Sequence, residues 1–216
     1  MPQTSPLVIA RSTATKQSRA TQDGPGLLRC ARNDRARFAY ALATLALSAC
    51  ATPQQDRLTA FEATLAAQDS ATAALGQWCA ARGIASPPAI RALPVPGATS
   101  PAPPEVRARL DVTADVTIAY RHVQLVCGDT VLSQAHNWYL PARLTPEMNA
   151  TLENSTTPFG TVVAPLHFRR ERSPARRGAA AGCPSATVLS HSAVLRLPDG
   201  QAISAVIECY TSENLR

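Results

Sequence analysis

With 216 residues, the chain is long enough for one domain whose core suffices to fold alone. Its formal charge of +6 sits mostly at the front: residues 1–49 hold seven Lys/Arg against two Asp/Glu, leaving 14 against 13 for the remainder. A near-neutral domain with 5% aromatic residues lacks the concentrated basic face that phosphate backbones require, which excludes nucleic acid as a partner.

Residues 1–34 show no hydrophobic period to fold with. The stretches VIARSTATKQS and LLRCARND resemble a translated dispersed bacterial DNA repeat, so 1–34 is expected to be a spurious or disordered extension. Residues 35–50 have the layout of an export signal. Arg35 and Arg37 precede an apolar run of 12 residues, Phe38 to Ala49, too short to span a bilayer as a helix, which needs ~20. Leu47-Ser48-Ala49-Cys50 resembles a lipobox and predicts lipidation of Cys50, hence a membrane attached through that anchor. The alternative is a buried Ala-rich helix that ends in Cys. The non-acidic Ala51, by resemblance to lipoprotein sorting, points to the periplasmic side of the outer membrane.

Residues 51–216 form the expected domain. A helix is predicted over 56–67, with Leu58, Phe61 and Leu65 on one stripe. Asp69-Ser70 offers a fresh N-cap for a second helix over 71–82, where Leu75, Trp78 and Cys79 share a face and Gly83 suits a left-handed C-cap. From Ser86 to Glu105 the chain has seven of its 18 prolines, which restricts 89–95 to an edge strand. Pro104 to Leu110 reads as a helical turn. Residues 117–127 alternate with a period of two, Gly128-Asp129 supplies a turn, and 131–140 returns until Pro141 closes the strand. Thr145 then caps a helix with Pro146 at its first position, and Thr157-Pro158 repeats that start signal. A strand is expected over 166–172 and an Arg-, Ala- and Gly-rich loop over 173–183. A second hairpin follows, 188–197 and 201–210 around Pro198-Asp199-Gly200. The sum is an α+β domain: an antiparallel sheet of five or six strands with helices on one side.

Two charged residues stand out on these strands. Arg121 shares a face with Val123, Leu125 and Cys127, so its guanidinium must meet an anion or lie at an edge. Glu208 sits beside Val206, Ile207 and Cys209, a setting that raises a carboxyl pKa unless a cation offsets it; this makes it a candidate proton donor or acceptor. The run Arg169, Arg170, Arg172, Arg176 and Arg177 reads as a solvated basic cluster, or as a guide for an anion. The four histidines show no paired spacing for a metal, and neither a glycine-rich phosphate loop nor a G-x-S-x-G elbow occurs, so no cofactor is expected. Cys79, Cys127, Cys183 and Cys209 allow two disulfides in an oxidising compartment, with three connectivities open.

The hairpin with its leading Arg, the Pro that ends it, and Thr157-Pro158-Phe159-Gly160 resemble the chorismate lyase family, which converts chorismate to 4-hydroxybenzoate and pyruvate. The resemblance implies that Arg121 binds a ring carboxylate, that backbone N–H groups near Ala71 and Phe159 complete the pocket, and that Glu208 contacts a ring hydroxyl. With Cys127 held fixed, His122 takes the Arg position instead; Arg121 is preferred for the face it shares. The return strand departs from the family, with Asn137 or His136 where an Arg is usual. Three readings follow: an anchored domain binding a small aromatic carboxylate without turnover, an active lyase using Arg121 and Glu208, and an envelope protein whose sheet serves a protein partner.

Overall fold

A computed structural model describes residues 52–216; residues 1–51, and with them the expected export signal and Cys50, lie outside the described residues. The helices begin where the capping chemistry allows. Helix α1 (Pro53–Ala66) starts three residues before the position expected from its apolar stripe, because Thr52 caps it by accepting from Gln55 N and Pro53 fits the first turn. Helix α2 (Ala71–Arg82) is capped by Ser70, whose Oγ accepts from Ala73 N, and ends at left-handed Gly83, as the sequence indicates. The remaining helices are α3 (Pro104–Leu110), α4 (Pro146–Asn154) and the single turn α5 (Phe159–Val162).

Seven antiparallel strands make one sheet: β1 (Ile90–Pro94), β2 (Ala119–Cys127), β3 (Thr130–Tyr139), β4 (Arg169–Arg172), β5 (Arg176–Arg177), β6 (Leu189–Arg196) and β7 (Ala202–Tyr210). The order is β1-β2-β3-β7-β6-β4, with β5 also paired to β6. The α+β architecture expected from the sequence is therefore present. The two-residue β5 is an addition, in a stretch whose composition reads as loop. Strand β1 forms the edge, as its prolines require. Strand β7 joins the two hairpins by pairing with β3 on one side and β6 on the other.

The core lies mainly on one face of this sheet. Phe61 and Leu65 of α1 and Leu75, Trp78 and Cys79 of α2 pack on Val123, Leu125, Ala135, Leu189 and Tyr210. Leu152 of α4, Val163 and Phe168 pack on Tyr139, Ala193, Leu195 and Val206. Each such apolar side chain contributes roughly 1.5–3 kcal/mol on burial. The short α3 lies on the opposite face, where Val106 and Leu110 meet Trp138, Val194 and Ala205. Two disulfides tie helix and loop to the sheet: Cys79–Cys127 joins α2 to β2, and Cys183–Cys209 joins the loop before β6 to β7. One of the three connectivities is thereby selected.

Candidate functional site

Between the sheet and the starts of α2 and α5 lies a cavity of about 50 Å³. Register places its floor. Arg121 pairs with Asn137, and Asn137 with Val206; one row along, Val123 pairs with Ala135, and Ala135 with Glu208. Side chains two apart on a strand share a face, so a cation, an amide and a carboxylate all point the same way. Val123, Leu125, Phe168 and Leu195 supply apolar walls, and Ser70, Ala71, Thr72, Phe159 and Gly160 close the top. Arg121, Glu208, Ala71 and Phe159, each singled out from the sequence, all line this one cavity. His122 faces the other side of the sheet, stacked on His136 with ring centroids 4.1 Å apart.

Of the two fates expected for Arg121, the structure shows the edge and no anion. Strand β1 pairs with β2 only from Val123 to Cys127, so the row of Arg121 lies past the end of β1, and among the described residues no carboxylate lies within ion-pair distance of it. Its Nη1 donates to Thr157 O at 3.3 Å and its Nη2 to Ser155 O at 3.3 Å. Thr157 does not cap α5: Pro158 holds that position, and the Thr157 carbonyl backs the guanidinium instead. Burial lowers the Arg121 pKa, with Tyr139 acting in the opposite direction. A partly desolvated cation braced only by carbonyl oxygens retains its attraction for an anion.

Glu208 has the cation that its setting calls for, and it comes from the basic run. Arg170 is 8% exposed rather than solvated. Its Nη1 donates to Glu208 Oε1 at 3.1 Å, and its Nη2 pairs with Oε2. The solvated reading fails here because β4 alternates: Arg169 and Glu171 point out while Arg170, opposite Leu195, points in. The run is not one patch, since Arg172 approaches Asp69 and Arg177 pairs with Glu62. Tyr210 OH donates to Glu208 Oε2 at 2.8 Å. Burial and the neighbouring carboxylate raise the Tyr210 pKa well above its usual value. Burial alone would lower the Arg170 pKa, but Glu208, Tyr210 and Asp69 together outweigh it and the net shift is upward.

The polar inventory has one gap. Ser204 Oγ donates to Asn137 Oδ1, while Asn137 Nδ2 is buried without a partner. In the sequence, Asn137 stands out only as a position where the chorismate lyase family, which the chain resembles, usually has an Arg. At the top, Ser70 Oγ serves Ala73 N and Ser70 O opens the helical ladder at Ala74. The N–H groups of Ala71 and Thr72 thus stand outside that ladder, as the first amides of any helix do. Gly160 lets α5 approach this end: a Cβ there would lie 2.7 Å from Ser70 Oγ. Among the described residues no group of three or more His, Cys, Asp or Glu is placed to hold a metal ion.

No family model matches the chain. Among solved structures it is similar to PhnF from Mycobacterium smegmatis, at 14% identity and a TM-score of 0.49, over 69% of this chain and 66% of that one. It is also similar to the effector domain of PhnF (14% identity, TM-score 0.49, covering 67% of this chain and 90% of that one). A third is the ligand-binding domain of a GntR-family transcriptional regulator from Bordetella bronchiseptica (16% identity, TM-score 0.40, 57% and 79%). Among curated sequences, the uncharacterized protein y4mC of Sinorhizobium fredii is 40% identical over 177 residues, covering 73% of this chain and 75% of that protein. The chain belongs to the family of that rhizobial protein.

Proposed function

We propose that this is a binding protein for a small aromatic carboxylate, held in the cavity between Arg121 and Glu208 without turnover. The observation that carries the reading is Arg121: a guanidinium among apolar walls, braced by carbonyls and lacking a carboxylate partner among the described residues. Arg121 and the start of α2 border the same cavity, and guanidinium and helix N-terminus both favour an anion such as a carboxylate. Phe159 and Phe168 suit an apolar ring. The cavity is smaller than the ~150 Å³ void known to take benzene, so seating a ring requires its walls to move apart. Binding is favoured over lyase chemistry by the state of Glu208, whose two oxygens are occupied by Arg170 and Tyr210.

Titration calorimetry of the full-length protein with benzoate and 4-hydroxybenzoate tests this. Binding with Kd in the micromolar range, lost in Arg121→Ala, supports it; absence of heat with either acid sinks it and leaves the protein-partner reading. Chorismate added to the same sample separates binding from catalysis, because release of 4-hydroxybenzoate is followed by its absorbance.

The same reading includes export and lipidation at Cys50. The leader's hydropathy supports it, as do two disulfides, which persist in oxidising compartments. A Cys50→Ser variant then becomes soluble; retention at the membrane overturns the lipobox assignment.

A further inference from the structure

The geometry points to Asn137 as the residue that sets ligand specificity, and to a ligand with one carboxylate and one neutral oxygen acceptor rather than two carboxylates. This rests on the carboxylate reading above and narrows it. Two observations carry it independently.

The first is the Asn137 amide. It is 5% exposed, lines the cavity, and its Nδ2 has no partner. Ser204, fully buried, donates to Oδ1, which leaves Nδ2 as the free end of the amide. A buried amide donor left unmade costs free energy, and such groups regularly acquire their partner from a bound molecule. Being a donor, it selects an acceptor. Register sets it beside Arg121 and one row from Glu208, between the place of the carboxylate and the far end.

The second is the charge count. Among the described residues lining the cavity, Arg121, Arg170 and Glu208 are charged, and Arg170 is already neutralised by Glu208. One positive charge remains. A monoanion balances it, whereas a second carboxylate would lie next to Glu208 with no cation to receive it, and burying an unpaired charge is strongly unfavourable. A neutral amide at 137 is the donor suited to a hydroxyl, carbonyl or ether oxygen.

Calorimetry with the full-length protein tests this using benzoate, 3-hydroxybenzoate, 4-hydroxybenzoate and benzene-1,3-dicarboxylate. One of the hydroxybenzoates is expected to bind about tenfold tighter than benzoate, the size of one well-made hydrogen bond, and the dicarboxylate more weakly than benzoate. Asn137→Leu should bring the ratio of hydroxybenzoate to benzoate affinity from about tenfold down to about one. If Asn137→Leu fails to fold, Asn137→Asp keeps the acceptor for Ser204 and brings the cavity charge to zero; it should lose every acid. Undiminished hydroxybenzoate binding by Asn137→Asp, equal loss of both acids in Asn137→Leu, or a dicarboxylate bound as tightly as benzoate overturns the assignment while the carboxylate site stands. Absence of heat with all four acids removes both.

Discussion

Arg170 and Glu208 face each other as a two-pronged ion pair beneath the helices, the carboxylate at 4% and the cation at 8% exposure. Their residues are 38 apart in sequence and belong to strands separated by β6. Removing one partner strands the other. Glu208→Ala should therefore destabilise the protein by roughly 3–5 kcal/mol, whereas the pair replaced by Met and Leu should cost much less than the two single changes combined. Urea unfolding of the four proteins measures this. Equal and additive losses would show that the pair is not coupled.

Gly160 is required by closeness rather than by backbone angle. Gly160→Ala should cost roughly 1–3 kcal/mol, because the new methyl meets Ser70 Oγ and α5 must shift away from α2. Combining it with Ser70→Gly should recover part of the loss, although the cap is weakened. Thermal unfolding of the single and double variants reads the recovery; none would place the strain elsewhere.

Buried histidines make stability fall on the acid side. His191 has its pKa lowered, first by burial, with Arg170 and Arg172 adding to the effect and Glu208 and Glu62 opposing it. His136 is lowered by burial and then by His122. A folded-state pKa below the unfolded value of about 6.5 means that the unfolded chain binds more protons in the window between the two. The stability is complete above pH 6.5 and is lost as pH falls below it. The urea midpoint should drop between pH 7.5 and 5.5. For His191 the slope is at most about 1.4 kcal/mol per pH unit, and His191→Gln should flatten it. A midpoint unchanged across that range would show that protonation in the fold carries no penalty.

Each disulfide restrains a long loop. The sequence separations are 48 for Cys79–Cys127 and 26 for Cys183–Cys209, for which loop-closure entropy gives about 4 and about 3.5 kcal/mol as upper figures. Cys79→Ser/Cys127→Ser should lower the urea midpoint the more. The reverse order would mean that native-state packing around Cys183 and Cys209 dominates over the chain-entropy effect.

Much of this architecture is legible in the residues because local signals and burial agree. Ser70 and Gly83 bound α2 through capping chemistry, and the period of two in 117–127 puts Arg121 inward with Val123 and Leu125. Glu208 announces its need for a cation through its apolar neighbours. The identity of that cation is hidden, since Arg169, Arg170, Glu171 and Arg172 look uniformly solvent-directed and only strand alternation opposite Leu195 turns one of them inward. The roles of Asn137 and Gly160 are also hidden. Both depend on what arrives from distant segments, Ser204 for one and the start of α2 for the other.

The insertion of β7 between β3 and β6 has a consequence for how the protein is made. A chain synthesised only as far as residue 200 would carry β3 and β6 as two raw borders, each able to recruit a stranger's strand. No half-built version of the hollow exists, because its floor is stitched from residues 121, 137 and 206 at once. Assembly waits for the closing strand, which makes it a late and cooperative event of high contact order. Ligand added during refolding should consequently leave the rate of sheet closure untouched and slow only its reversal.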